Sequence, residues 1–210
     1  MKNLVVIYDD LDTNNGEYFK ASQEHLSHKL SGLADLNIQA FNTEQCLANP
    51  IDHYTSEFAE QPFVFVAYAH GNESAIYIDK NAYIHLGNAY FFAGKIFYAC
   101  GCLSAKELGQ RLIAENCRVF LGYNAKISSA NPESEPIFQE CENAFLANFL
   151  TTSDTIQDCR AFMYRKYNEM RAHFISEYNT FAASILEDNL NAFLLLCKEE
   201  DYNLSKLDFL

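Results

Sequence analysis

The chain has 210 residues, enough for one domain with a sizeable core, and 49% of them are apolar. A formal net charge of −13 opposes phosphate backbones and anionic lipid surfaces, so neither nucleic acid nor a membrane is expected as a partner. No apolar run reaches the ~20 residues of a membrane span, and Asp9, Asp10 and Asp12 follow the first apolar segment too soon for a signal peptide, so a cytoplasmic protein is expected.

In chain order, "NLVVIY" reads as a first strand, Glu17 to Leu33 as a helix and "LNIQAF" as a second strand. A short helical stretch from Pro50 to Ala59 leads to a third strand, "PFVFVAYA", which runs directly into His70 and Gly71. A small hairpin follows ("AIYID", "AYIHL"), then a brief helix near Asn88, a fourth strand "KIFYAC", a helix from Ala105 to Glu115 and a fifth strand "RVFLGY". Strands alternating with helices predict an α/β fold, a mainly parallel sheet with helices on both faces. The apolar runs are continuous rather than alternating, as in strands covered on both sides. From Ser128 the character changes: "SSANPESEPIF" reads as a polar linker, and three helices fit 136–150, 154–174 and 178–198. The expected organisation is an α/β core over 1–127 and a helical C-terminal segment over 128–210.

The seven cysteines are odd in number and scattered, without the paired spacings of a disulfide framework or a zinc site, so reduced thiols and no metal or cofactor are expected. Ligands of open parallel sheets bind outside the carboxyl ends of the strands, and two such ends here carry reactive side chains. His70 and Gly71 end the third strand, and "ACGC" ends the fourth at Cys100 and Cys102. If these strands are neighbours, an imidazole faces a thiol, the arrangement that a cysteine nucleophile with a histidine base requires. "SAKE" (104–107) reads as a capping box, placing Cys102 just before a helix N-terminus whose free amides favour a thiolate. Gly71, without a Cβ, lets its amide approach a substrate carbonyl closely.

The strand ending in "AHG" (69–71), with a second ending in Cys-x-Ser-Ala (102–105) and continuing "KELGQRLIAENCRVFLGY", resembles the caspase-like cysteine peptidases. That group holds caspases, metacaspases, gingipain-like enzymes and the bacterial CHAT domains. The resemblance covers residues 1 to about 125 and implies a three-layer caspase-like fold and hydrolysis of a protein or peptide substrate. It further implies His70 as base, Cys102 as nucleophile, and the Gly71 and Cys102 amides as oxyanion hole. Cys100, preceded by alanine as in many members, stands as the alternative nucleophile.

The acidic loop "DDLD" (9–12) supports two readings. Asp10 and Asp12 after an apolar strand resemble the Mg²⁺ loop of haloacid-dehalogenase-like phosphohydrolases. In the caspase-like reading, Asp9, Asp10 and Asp12 border the pocket for the side chain before the scissile bond and favour Lys or Arg there. A third possibility comes from another class: a catalytically silent caspase-like module that binds other proteins. An activating protein partner is compatible with either caspase-like reading.

Overall fold

The structure is a computed structural model that describes residues 2–56 and 61–209. Its centre is a six-stranded sheet built from β1 (Lys2–Tyr8), β2 (Leu36–Phe41), β3 (Phe63–Tyr68), β7 (Ile96–Cys100), β8 (Val119–Tyr123) and β9 (Phe193–Cys197), in the order β2-β1-β3-β7-β8-β9. The first five are parallel, and β9 closes the edge antiparallel to β8. A smaller antiparallel sheet, β4 (His70–Gly71), β5 (Ala75–Ile78) and β6 (Asn81–His85), stands beside the carboxyl end of β3. Asp79 and Lys80 both take positive φ in the tight β5–β6 turn, as its hairpin geometry demands.

Side chains of successive strand residues enter opposite layers. Leu4, Val6, Val64, Val66 and Tyr98 pack under α1 (Gly16–Leu30), α5 (Glu135–Thr151), α6 (Ile156–Ser176) and α7 (Thr180–Ala192). Val5, Ile7, Phe63, Phe65 and Phe97 pack against α2 (Thr43–Ala48), α3 (Ile51–Ser56), α4 (Glu107–Ala114) and the small sheet. Two covered faces account for the unbroken apolar strands and give a three-layer α/β molecule. No helix of the described residues is long and apolar enough to cross a membrane.

Three expectations need correction. The helix predicted over 178–198 ends at Ala192, and "FLLLC" becomes β9, whose Phe193 and Leu195 face one layer while Leu194 and Leu196 face the other. An apolar run of five residues fits helix or strand, and the unpaired edge of β8 decides. The C-terminal segment therefore completes the sheet as well as covering it. Second, the stretch from Pro50 is preceded by α2, which Asn42 caps by accepting from the Gln45 amide at 3.1 Å. The end of the predicted stretch, 57–59, lies outside the described residues.

The third correction bears on chemistry. The helix after Cys102 starts at Glu107, not at Ser104, and Ser104 Oγ donates to the Gly101 carbonyl at 2.9 Å instead of capping it. The first amides of α4, of Glu107 and Leu108, donate to the Glu73 carbonyl at 3.0 and 2.8 Å. They are thus not available to a thiolate at position 102.

Candidate active site

The strand order reverses between β1 and β3, so a ligand crevice belongs at the carboxyl ends of β1, β3 and β7. Three loops meet there: Asp9–Asn15 after β1, His70 and Gly71 after β3, and Gly101–Ser104 after β7. Backbone contact fixes the second against the third. A Cβ on Gly71 would lie 2.7 Å from the Cys102 carbonyl oxygen, and one on Gly101 would lie 2.9 Å from that of Ala69. The absence of a side chain at 71 thus serves the packing of the two loops.

His70 and Cys102 line one cleft, together with Cys100, Tyr18 and Glu142. The His70 side chain is 45% exposed, its Nε2 lies 3.2 Å from Asp12 Oδ2, and its ring meets the Phe19 ring edge-on with centroids 5.4 Å apart. Asn15 Nδ2 also approaches Nε2, at 3.3 Å. Asp12 is held in turn by the amides of Asn15 and Asn14, at 2.7 and 3.0 Å from Oδ1. Partial burial pushes the Asp12 carboxyl up, but those two amides and His70 outweigh it, leaving its pKa below the ordinary carboxylate value.

The two candidate thiols differ sharply. Cys100 is the last residue of β7 and only 2% exposed; burial, with the Glu142 carboxylate beside it, drives its pKa well above the ordinary thiol value. Cys102 sits half-buried in the turn, and the Ile127 amide donates to its Sγ at 3.4 Å. The turn is pinned to the segment leaving β8, since the Leu103 amide donates to the Ala125 carbonyl at 3.0 Å and that of Ala105 to the Tyr123 carbonyl at 3.0 Å. Leu103 has φ of 61°, a left-handed conformation uncommon for a branched residue and held by these contacts.

The acidic loop is engaged from within. Asp9 is 2% exposed and accepts from Thr43 Oγ1 at 2.9 Å and from the Asp79 amide at 3.1 Å, one bond to each carboxylate oxygen. Asp10 accepts from the Thr43 amide at 3.0 Å, and Asp12 holds His70. Asp10 and Asp12 thus serve different partners. Asp9 and Asp12 do line a second pocket, which shares His70 with the cleft and includes Asp79 and Lys80.

Sequence reasoning passed over Glu142, which is 3% exposed in the middle of α5. Tyr18 donates to its Oε1 at 2.7 Å, while Oε2 is buried without a hydrogen-bond partner among the described residues. Burial raises its pKa to about 7, against the contacts from Tyr18 and the Cys100 thiol, which favour the ionised form. The signal was present: Glu142 falls on the helical stripe Phe138, Glu142, Phe145, Phe149, where every other member is apolar and buried.

No family model and no curated protein matches the sequence. Among solved structures, the chain is similar to a secreted C11 cysteine protease from Bacteroides thetaiotaomicron, captured with an irreversible peptide inhibitor. The TM-score is 0.51 at 10% identity, over 80% of this chain and 59% of that one, so the chain spans less than two thirds of the neighbour's length. The chain therefore shares its fold with that cysteine protease, a mostly parallel sheet between helical layers with a helical C-terminal segment. At this identity the likeness defines the fold alone.

Proposed function

We propose that the protein is a cysteine endopeptidase in which Cys102 is the nucleophile and His70 the general base, acting on peptides with a basic residue before the scissile bond. The observation that carries this reading is the single cleft lined by His70 and Cys102 at the carboxyl ends of neighbouring strands. With Nε2–H donating to Asp12, Nδ1 of His70 is left to take the thiol proton. Cys102 Sγ then adds to the substrate carbonyl carbon, and the Gly71 and Cys102 amides receive the oxyanion. As the C–N bond breaks, the amine leaves with the proton from His70, and a thioester remains. Water, activated by the same imidazole, hydrolyses it to the carboxylic acid and the free thiol.

Cys102 is preferred over Cys100 because it is partly exposed in the cleft that His70 lines, with Sγ accepting from the Ile127 amide at 3.4 Å and donating to the Ile127 carbonyl at 3.7 Å. Cys100 would have to ionise in a buried site already facing a carboxyl group. Asp12 acts as the orienting third member, one role for the acidic loop. The seven free thiols support a reducing, cytoplasmic setting.

A fluorogenic peptide panel, run alongside an irreversible peptide electrophile and intact-mass analysis, tests the reading. Turnover with one adduct on Cys102 is the expected result. A folded protein that neither turns over nor takes an adduct would establish the silent interaction module instead.

A further inference from the structure

The cleft that holds His70 and Cys102 continues inward between α1 and β7 to a floor formed by α5. Asn15, just before α1, and Tyr18 of α1 stand on one side, Cys100 ends β7 on the other, and Glu142 closes the bottom. Ser128, on the loop that follows β8, forms part of the wall; its amide and carbonyl bond the Asn189 side chain of α7 at 3.2 and 2.8 Å. This wall is built, not incidental.

We propose that Glu142 is the specificity-determining residue of this site: its buried carboxylate receives the cationic end of the substrate side chain that precedes the scissile bond. The inference rests on the peptidase reading for its orientation, because the pocket opens beside the proposed nucleophile and so belongs to the residue whose carbonyl is attacked.

The argument starts from an unpaired oxygen. One carboxylate oxygen of Glu142 accepts from Tyr18, whereas Oε2 is buried with no nitrogen or oxygen partner among the described residues, and the Cys100 thiol beside the carboxyl group is only a weak donor. A buried carboxylate half satisfied in this way is unfavourable unless a partner arrives, and the partner must bring N–H groups and positive charge. Tyr18 of α1, Cys100 of β7 and Glu135 of its own helix act on it, Tyr68, Tyr98, Tyr123 and Tyr167 also lie close, and none of these is a cation. A guanidinium or ammonium entering from the cleft supplies both missing terms at once, and a bidentate guanidinium adds direction. The loop carboxylates Asp9, Asp10 and Asp12 are engaged with Thr43, Asp79 and His70, which leaves Glu142 as the acidic group facing the pocket with an oxygen to offer. The overall charge of −13 draws such a substrate in.

The experiment uses the full chain. In a profiling series, substrates with arginine or lysine before the cut are expected to exceed those with citrulline, the neutral isostere of arginine, by about 10²-fold in kcat/KM. Glu142→Gln should erase that ratio, chiefly by lowering the arginine value. Glu142→Asp, which retracts the carboxylate by one methylene, keeps a cation preference but shifts it from lysine toward the longer arginine. Binding of benzamidine, measured by calorimetry, should be equal in wild type and Cys102→Ala and lost in Glu142→Gln. That readout is independent of turnover: benzamidine binding without any peptidase activity sinks the peptidase reading and leaves the cation pocket standing. Cleavage with preference for aspartate or an apolar residue overturns the pocket and spares the peptidase. A cation preference that survives intact in folded Glu142→Gln overturns it too, returning the role to the loop after β1.

Discussion

Gly71 and Cys102 interlock: a Cβ on the glycine would sit 2.7 Å from the cysteine carbonyl oxygen and 3.3 Å from its amide nitrogen. The obstacle is backbone on both sides, so it cannot swing away as a long side chain would. Gly71→Ala should therefore push the His70 and Cys102 loops apart. The expected cost is about 1–3 kcal/mol of stability, the usual range for overpacking, with a disproportionate loss of kcat. Urea unfolding paired with steady-state kinetics checks this; an alanine variant with wild-type kcat would show that the approach is not required for catalysis.

Asp12 orients His70 through a contact of 3.2 Å and is itself fixed by two backbone amides. Asp12→Asn keeps the shape but removes the preference for the Nε2–H tautomer, so kcat should fall by about 10²-fold, within the range of a general-base contribution. Stability follows a sign that can be worked out. The Asp12 pKa is depressed in the fold, so its contribution is present above the unfolded carboxylate value, about 3.9, and is lost as pH falls through the lower folded value. Melting curves of both proteins from pH 7 down to pH 3 should converge only at the acid end.

For the thiols, Cys102→Ala should abolish labelling by a peptide electrophile, while Cys100→Ala keeps both the label and turnover within a few-fold. The reason is that a thiol buried against Glu142 is held neutral, whereas Sγ of Cys102 is partly exposed and accepts from the Ile127 amide. An adduct that moves to Cys100 in the Cys102→Ala protein would reverse the assignment.

Much of this was legible in the sequence because the strands announce themselves: "FVFVAY" and "IFYAC" are apolar throughout, and their ends carry His70 and Cys102. What the sequence hid depends on long-range partners. Ser104 and Glu107 satisfy a capping pattern, yet the Glu73 carbonyl, 34 residues before Glu107, takes the helix amides instead. Asp12 looked like one of three equivalent carboxylates until the turn before α1 brought it to His70. Strand β9 could be recognised only once β8 was known to leave an open edge. Glu142 is the instructive omission, because a charged residue inside an apolar helical stripe marks either an error of register or a buried site.

The same residue yields a stability prediction separate from substrate recognition. The Glu142 carboxyl is neutral and harmless at low pH, and burial raises its pKa from 4.5 to about 7, so the folded state binds the proton more tightly than the unfolded chain. Stability is then fully present below about pH 4.5 and declines as pH rises through 7, by an amount on the order of 3 kcal/mol in total. Tyr18, Tyr98, Tyr167 and Cys100, which surround it from α1, β7 and α6, all have pKa values raised by burial and stay neutral over this range. Glu135, on its own helix, acts in the same direction as burial. Glu142→Gln, neutral at every pH and still able to accept from Tyr18, should melt no higher than wild type at pH 5 but several degrees higher at pH 8. A difference in Tm that stays flat between those values would mean that Glu142 does not titrate in the fold as its burial requires.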